Sequence, residues 1–482
     1  MTLPYQADRL PSGIPGLELL TRGGLPRERL TLVAGTAGSG KTVFASQFLA
    51  TGIRGSDEPG VFVTFEERPA SIRRNLRSLG WDVAAWEQEN RWIFVDASPQ
   101  HQVETVFTGQ DYNLDPLLRR VTSAIERIGA KRVAFDSIGS LASQFESGQP
   151  ARQALFHLAK SLEDRGVTTV MTAERAEEYG PITQLGFEEF VADNVIILRN
   201  ALDGEKRRRT MEVLKMRGGS HLKGEHLFTL LDGEGIVVVP VAISSIGTTS
   251  STNRLSTGVP PLDEMLGGGL YEKSLWLVAG ATGTGKSCLT AHFIAGGFAN
   301  GERCLLHSFE EGHDQLLRNA AAWGIDLAGM EREGRVRVVA EAPEAASLED
   351  HLQRMRAAMD DFGPDRVAID SLTALQRIAT VKSFREYVLG LTFHIKLRSA
   401  VGLVTSNAAD VLGPESTNDL HVSTISDAIT VLRYVPVGGE VRRAIHVLKV
   451  RGSNHDKALR EFQITGRGIE IFDPVSDAAR IF

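Results

Sequence analysis

The pattern GTAGSGKT (35–42) recurs as GATGTGKS (280–287), each after an apolar run and before a helix-forming one. In such a loop, glycines let main-chain N–H groups close around phosphate oxygens, and the helix N-terminus adds its positive end. Lys41 or Lys286 would meet the β- and γ-phosphates, and the Thr42 or Ser287 hydroxyl would face Mg2+. Two other apolar runs end in a carboxylate, Asp136 in VAFDS and Asp370 in VAIDS. A carboxylate there can hold Mg2+, although the same residue also caps strand-end turns. Recurrence beside a phosphate loop favours the metal. Paired acids follow a third run, Glu66–Glu67 and Glu310–Glu311. Adjacent acids are commonly a solvated strand end, yet a carboxylate near a γ-phosphate can orient or deprotonate a nucleophile. Their fixed interval from both lysines points to nucleotide hydrolysis. LKMRGGSH (214–221) and LKVRGSNH (448–455) set Lys215, Arg217, Lys449 and Arg451 at alternate strand positions, hence on one face. They either cap a solvated sheet edge or reach a neighbour's γ-phosphate as arginine fingers do, and the spacing leaves both open.

These groups belong to a chain written twice. Lys286 follows Lys41 by 245 residues, FEE recurs after 244, and VAIDS and LKVRGSNH follow their counterparts by 234. The drop from 244 to 234 assigns a surplus to the first copy, in the polar stretch 98–113. The domains are 1–243 and 254–482, joined by the linker SSIGTTSSTN at 244–253, whose composition builds no core. Runs such as LTLVAG, VFVTFE, WIFVDA, RVAFDS and VTTVMTAE alternate with helical segments such as ALFHLAKSLEDRG. That alternation predicts a mostly parallel sheet covered on both faces. NVIILRN with TMEVLKMRG, and ITVLRYV with AIHVLKVRG, predict antiparallel hairpins added to the sheet edge. The fold class is α/β, twice over.

The 482 residues are 42% apolar and 23% charged, enough to bury real cores. With 53 basic against 60 acidic residues, the net charge of −7 argues against a general nucleic-acid binder. KRRR at 206–209 is too short for a patch and is expected as a solvated hairpin flank. Cys288 and Cys304 have no metal-like spacing and are expected as buried thiols in a reducing compartment. MTLPYQADRL has no apolar leader core, and no run is long enough to span a bilayer. The expectation is a soluble, cytoplasmic protein with no membrane partner.

With these motifs in place, the whole chain resembles the KaiC family of duplicated RecA-like P-loop ATPases of the bacterial circadian clock. GVFVTFEE (60–67), TAERAEEYGPI (172–182), LRNAAAWGID (317–326), PDRVAIDSLTAL (364–375) and HVSTISDAI (421–429) carry the resemblance. It implies a double-ring homohexamer with ATP and Mg2+ bound between neighbouring subunits. The first ring's ATP site would use Gly38, Ser39, Gly40, Lys41, Thr42, Val43 and Ser78. Lys215, Met216, Arg217, Gly219, His221 and Asp232 would complete it from the next subunit. The second would use Thr282, Gly283, Thr284, Gly285, Lys286, Ser287 and Cys288, with Trp323 on the base side. Its neighbour would supply Arg443, Lys449, Val450, Arg451, Ser453, Asn454, His455 and Lys457. Glu310 matches the family's second-ring Mg2+ carboxylate, its general base falls within Glu310–Glu311, and Glu66–Glu67 match the paired catalytic acids of the first ring.

In that family the second ring phosphorylates its own adjacent Ser and Thr, and Ser423 and Thr424 occupy those positions. HVSTISDA (421–428) looks like an ordinary strand entry, and the first copy has FEEFVADN (187–194), with Glu189 and Phe190 at the two places. The resemblance therefore implies a Ser/Thr autokinase in the second domain and hydrolysis alone in the first. Where the family has a further threonine before the acceptors, this chain has Asn418. It ends at SDAARIF (476–482), short of the family's tail that binds the activator KaiA, so dependence on KaiA is not expected. A KaiB-like partner near 109–120 is compatible with the family but marked by no motif. Two other readings compete: a signalling scaffold that uses nucleotide only to assemble, and a DNA-directed motor, which the acidic balance opposes.

Overall fold

The computed structural model describes residues 8–98, 114–142, 148–183, 186, 188–203, 206–239, 251–407, 420–437 and 439–474. The chain divides into two compact units, Met1–Ile243 and Ser244–Phe482. Of the expected linker, 244–250 lies outside the described residues, as do 99–113 of the surplus stretch, Asn418 and the end from 475. Ser251 and Asn253 bond to Glu272 of the second unit.

Each unit is built on one nine-stranded sheet. In the first, the central strand Leu30–Gly35 lies between Thr168–Glu174 and Asn194–Asp203, all parallel. Arg132–Asp136, Gly60–Thr64 and Trp92–Asp96 continue the parallel part on one side. On the other side Lys206–Met216, Glu225–Leu231 and Gly235–Val239 add antiparallel strands. The second unit repeats this around Leu275–Gly280, which lies between Val401–Ser406 and Ala428–Val437. The α/β class and the antiparallel edge additions are as the sequence implies. KRRR lies within the strand Lys206–Met216, paired with the preceding strand.

Continuous apolar strands bury both faces of a sheet. In the first unit Val33, Phe62, Ala134, Val170 and Ile196 face one core, and Leu32, Val63, Phe135, Met171 and Ile197 the other. One buried charge recurs in this packing. Arg366 lies under Phe293, ion-paired to Glu302 and donating to the Ser256 and Phe293 carbonyls at 2.7 and 3.0 Å. Arg132 repeats the arrangement with Glu58, Pro11 and Phe48. Each guanidinium ties the segment before the central strand to the helix after the phosphate loop.

One local expectation fails. Ser423 and Thr424 lie on a short helix, Leu420–Ile425, and the strand begins only at Ala428. The Lys449 ammonium takes the Ser423 and Ser426 carbonyls at 2.9 and 2.8 Å, a contact from a distant strand that local patterning does not contain.

Breaking a buried pair strands the remaining charge, so Glu302→Gln is expected to destabilise the second unit by about 3 kcal/mol in urea unfolding. A second expectation concerns pH. Burial, with His351 adding, holds the His307 imidazole down at about 4 against an ordinary 6.5. The folded state then binds the proton less tightly than the unfolded one, so stability falls as pH drops from about 6.5 towards 4. His307→Asn should flatten that slope in melting scans between pH 7 and 5.

Candidate active site

Parallel strands send all their C-terminal ends to one edge of the sheet, where crossover loops leave a crevice. In the first unit Gly35, Thr64, Asp136 and Glu174 reach this carboxyl edge together, and in the second Gly280, Ser308, Asp370 and Ser406 do. The phosphate loops follow Gly35 and Gly280 and open the helices Lys41–Gly55 and Lys286–Ala299. Gly285 adopts a φ of 111°, and a Cβ there would lie 2.7 Å from Ile464, so the turn into the helix requires glycine. Ser39 and Thr284 are buried, Cys288 is buried, and Val43 packs on the core, so these side chains support the loop from within. Gly38, Thr282 and Gly283 are exposed at its rim.

Lys41 Nζ donates to the Gly35 and Thr36 carbonyls, both at 2.9 Å, and Lys286 Nζ to Gly280 and Ala281 at 2.7 and 3.1 Å. Burial lowers the Lys41 pKa, against the opposing pull of Glu174, Asp136, Glu66 and Glu178. Thr42 Oγ1 donates to Asp136 Oδ2 at 2.7 Å, and the Thr172 hydroxyl takes the other oxygen. Ser287 and Thr405 hold Asp370 in the same way. Burial raises the pKa of both aspartates in spite of these hydrogen bonds. The glutamates of each pair are held differently: Glu66 accepts from Ser140 and Glu310 from Ser371, while Glu67 accepts from Asn75 and Glu311 from Asn319. Burial raises the pKa of Glu67 and Glu311, and Asp136 or Asp370 adds to it.

A hydroxyl bonded to a carboxylate is an oxygen donor set suited to Mg2+, which takes one or two protein ligands and completes its shell with water and phosphate. No cluster of three or more His, Cys, Asp or Glu side chains suited to a metal occurs among the described residues. Thr172, Thr405, Asn75 and Asn319 escaped the motif reading. Their signal was present in the repeat, since each aligns with its own kind in the other copy.

The basic residues divide between two edges. Asp427 N bonds the Leu275 carbonyl at the start of the central strand, and Lys449 and Arg451 gather there, at the amino edge. Val450 packs beside them, and Ser453 and Asn454 lie against Gly267 near that strand's entry, with His455 and exposed Lys457 following. The first unit repeats this: Lys215 takes the Glu189 and Ala192 carbonyls, Arg217 meets Asp193, and Arg9 touches Met216 and crowds Gly219, with His221 next. The six-residue central strand puts this edge about 17 Å from its own phosphate loop. Arg443 does not join the group. It donates to the Gly283 carbonyl of its own phosphate loop at 3.3 Å, because its strand runs antiparallel and carries it to the carboxyl edge. Asp232 likewise sits in a turn beside its own loop, since Leu230 and Ile236 flank Gly40. Both therefore lie at the carboxyl edge of their own unit. Exposed Ser78 ends the helix Pro69–Ser78 near that turn, and Trp323 is half-buried at the end of the helix His313–Ala322.

A family model described as "ATPase: KaiC" matches residues 10–242 and again 255–476. The chain is 50% identical over 474 residues to Circadian clock protein KaiC3 of Synechocystis sp., covering 98% of this chain and 94% of that one. It is 48% identical over 468 residues to Circadian clock oscillator protein KaiC of Synechococcus elongatus, covering 97% and 90%.

Asparagine removes the buried charge of Asp136 and Asp370 while keeping their shape. The double variant Asp136→Asn/Asp370→Asn is expected to melt at the same temperature or higher. Its Mg-ATP turnover should fall by at least about 100-fold. A lower melting temperature with turnover retained would make these aspartates structural.

Proposed function

This chain belongs to the KaiC family of ATPases, and from that premise we propose that it is a ring-forming, Mg2+-dependent ATP hydrolase whose second unit also phosphorylates its own Ser423 and Thr424. The observation that carries the reading is the duplicated carboxyl edge, with phosphate loop, hydroxyl–carboxylate pair and twin glutamates in both units, set against hydroxyls at the acceptor place in only one. The first unit's Lys215 holds the Glu189 carbonyl as Lys449 holds that of Ser423. The same scaffold thus presents an acid and an aromatic in one unit and two hydroxyls in the other.

The distance between edges favours an assembly. A hydroxyl at the amino edge, about 17 Å from its own phosphate loop, is too far for direct transfer, which needs reacting atoms roughly 3–3.5 Å apart. A neighbouring subunit that docks its amino edge on this unit's carboxyl edge brings acceptor and nucleotide together. Lys215, Arg217, Lys449 and Arg451 then address the neighbour's phosphates, and Arg443 its own unit's.

Bound Mg2+, between Thr42 and Asp136 or Ser287 and Asp370, would neutralise phosphate charge and orient the polyphosphate. Lys41 or Lys286 would exchange its carbonyl partners for phosphate oxygens. Glu67 and Glu311, with raised pKa values, suit the role of base toward water or toward the Ser423 or Thr424 hydroxyl. Glu66 and Glu310, each fixed by a serine hydroxyl, would order the water or the metal beside them. A phosphate at the acceptor helix adds a charge of about −1.5 to −2 next to Lys449 and Arg451. That change at a subunit boundary would let the protein act as a timing or signalling switch, in keeping with the clock roles named for its relatives.

Incubating the purified chain with Mg-ATP and mapping phosphosites by mass spectrometry tests this directly. Phosphate is expected on Ser423 and Thr424 and none on the segment around Glu189. Continued ATP hydrolysis with both hydroxyls unmodified would leave an ATPase without the kinase.

A further inference from the structure

FEEFVADN and HVSTISDA share an aspartate, Asp193 and Asp427, that lies outside the phosphate chemistry. Both make the same set of contacts. Asp427 Oδ2 accepts from Leu275 N at 2.9 Å, Oδ1 accepts from Arg451 at 3.4 Å, and its carbonyl accepts from Arg451 N at 2.8 Å. Asp193 accepts from Leu30 N at 3.4 Å, from the Arg217 guanidinium at 3.3 Å, and through its carbonyl from Arg217 N at 3.2 Å. The main-chain bond fixes where the arginine begins, the Leu275 or Leu30 N–H fixes the carboxylate, and the carboxylate fixes the guanidinium.

A second cation completes each cluster, and the two units supply it from different places. Lys396, on the helix Val381–Leu397, lies 2.8 Å from Asp427, whereas Arg29, just before the central strand, lies 3.6 Å from Asp193. The two do not correspond in the repeat, so each unit supplies its second cation by its own route. Arg29 is also paired with Glu163 at 3.3 Å, so the first cluster carries a second carboxylate. In the second unit Arg451 and Lys396 share Asp427, and the excess positive charge orients an arginine without cancelling its pull on an anion. The side chains of Arg451 and Arg217 stay 51% and 58% exposed, open to a ligand from outside. In the second unit Arg451 also donates to the Thr424 carbonyl, so the arginine and the acceptor helix are fastened together.

We propose that Asp427, and Asp193 in the first unit, are positioning residues that hold Arg451 or Arg217 at the angle from which it meets a neighbour's nucleotide. This rests on the reading of those arginines as acting across a subunit boundary. The plainer role, a cap for the first N–H of the central strand, needs only an acceptor oxygen, and asparagine provides one. The ion pair needs the charge. Asp427→Asn therefore separates the two roles.

The full chain carrying Glu66→Gln/Glu67→Gln, which silences the first unit, is assayed for ATP turnover and for phosphate on Ser423 and Thr424. Asp427→Asn should lower kcat about tenfold, with KM and melting temperature unchanged, and Asp427→Glu should recover part of the loss. Arg451→Ala should lower kcat further, and adding Asp427→Asn to it should cost nothing more, as for two residues acting through one group. Wild-type kcat in Asp427→Asn, or losses that multiply in the double variant, would overturn the proposal. Unchanged turnover in Arg451→Ala would instead remove the cross-subunit reading, and the positioning role with it. If Asp427→Asn does not fold, the same cycle with Asp193→Asn and Arg217→Ala, in a Glu310→Gln/Glu311→Gln background, decides. Loss of fold in both aspartate variants would assign them to structure alone.

Discussion

In each unit the central strand, Leu30–Gly35 or Leu275–Gly280, ends in a phosphate loop and begins beside an aspartate that anchors a basic pair. The extended backbone between them cannot be shortened, and its direction is shared with every parallel neighbour. The phosphate loop, the aspartate and the glutamate pair therefore collect at one edge, and Lys215, Arg217, Lys449 and Arg451 at the other. A single unit cannot bring the two together, whereas one unit set against the next can. The cross-subunit reading proposed above rests on that separation.

Burial of charge is the second theme. Asp136 and Asp370 are held in the interior by hydroxyl pairs that satisfy both oxygens but do not supply a counter-charge. That arrangement fits the proposed binding of a cation there together with its nucleotide. Arg132 and Arg366 show the opposite solution, a buried cation with its own carboxylate and two carbonyls. The first kind of site is held ready for a ligand, and the second is closed and serves the fold.

The two units share one scaffold at the amino edge and differ in the side chains it carries. The lysine that reaches back to the acceptor helix, the aspartate after it and the arginine beyond are common to both. The helix itself differs, carrying Glu189 and Phe190 in one unit against Ser423 and Thr424 in the other.

Much of this was legible in the residues themselves. The phosphate loops, Asp136 and Asp370, the glutamate pairs and the α/β alternation are written in contiguous residues or exact repeats, because each depends on local backbone geometry at a strand end. The repeat also contains Asn75, Asn319, Thr172 and Thr405, but what each side chain bonds depends on elements that meet only in the fold. The helix carrying Ser423 has no signature in local patterning, since what holds it is a lysine from another strand. By itself the sequence determined the duplication, the phosphate loops and which half holds the adjacent hydroxyls. Only the tertiary structure decided at which edge of the sheet each basic residue lies. Arg443 and Lys449 lie six positions apart on one strand, yet at about 3.3 Å per residue that places them at opposite edges of the sheet.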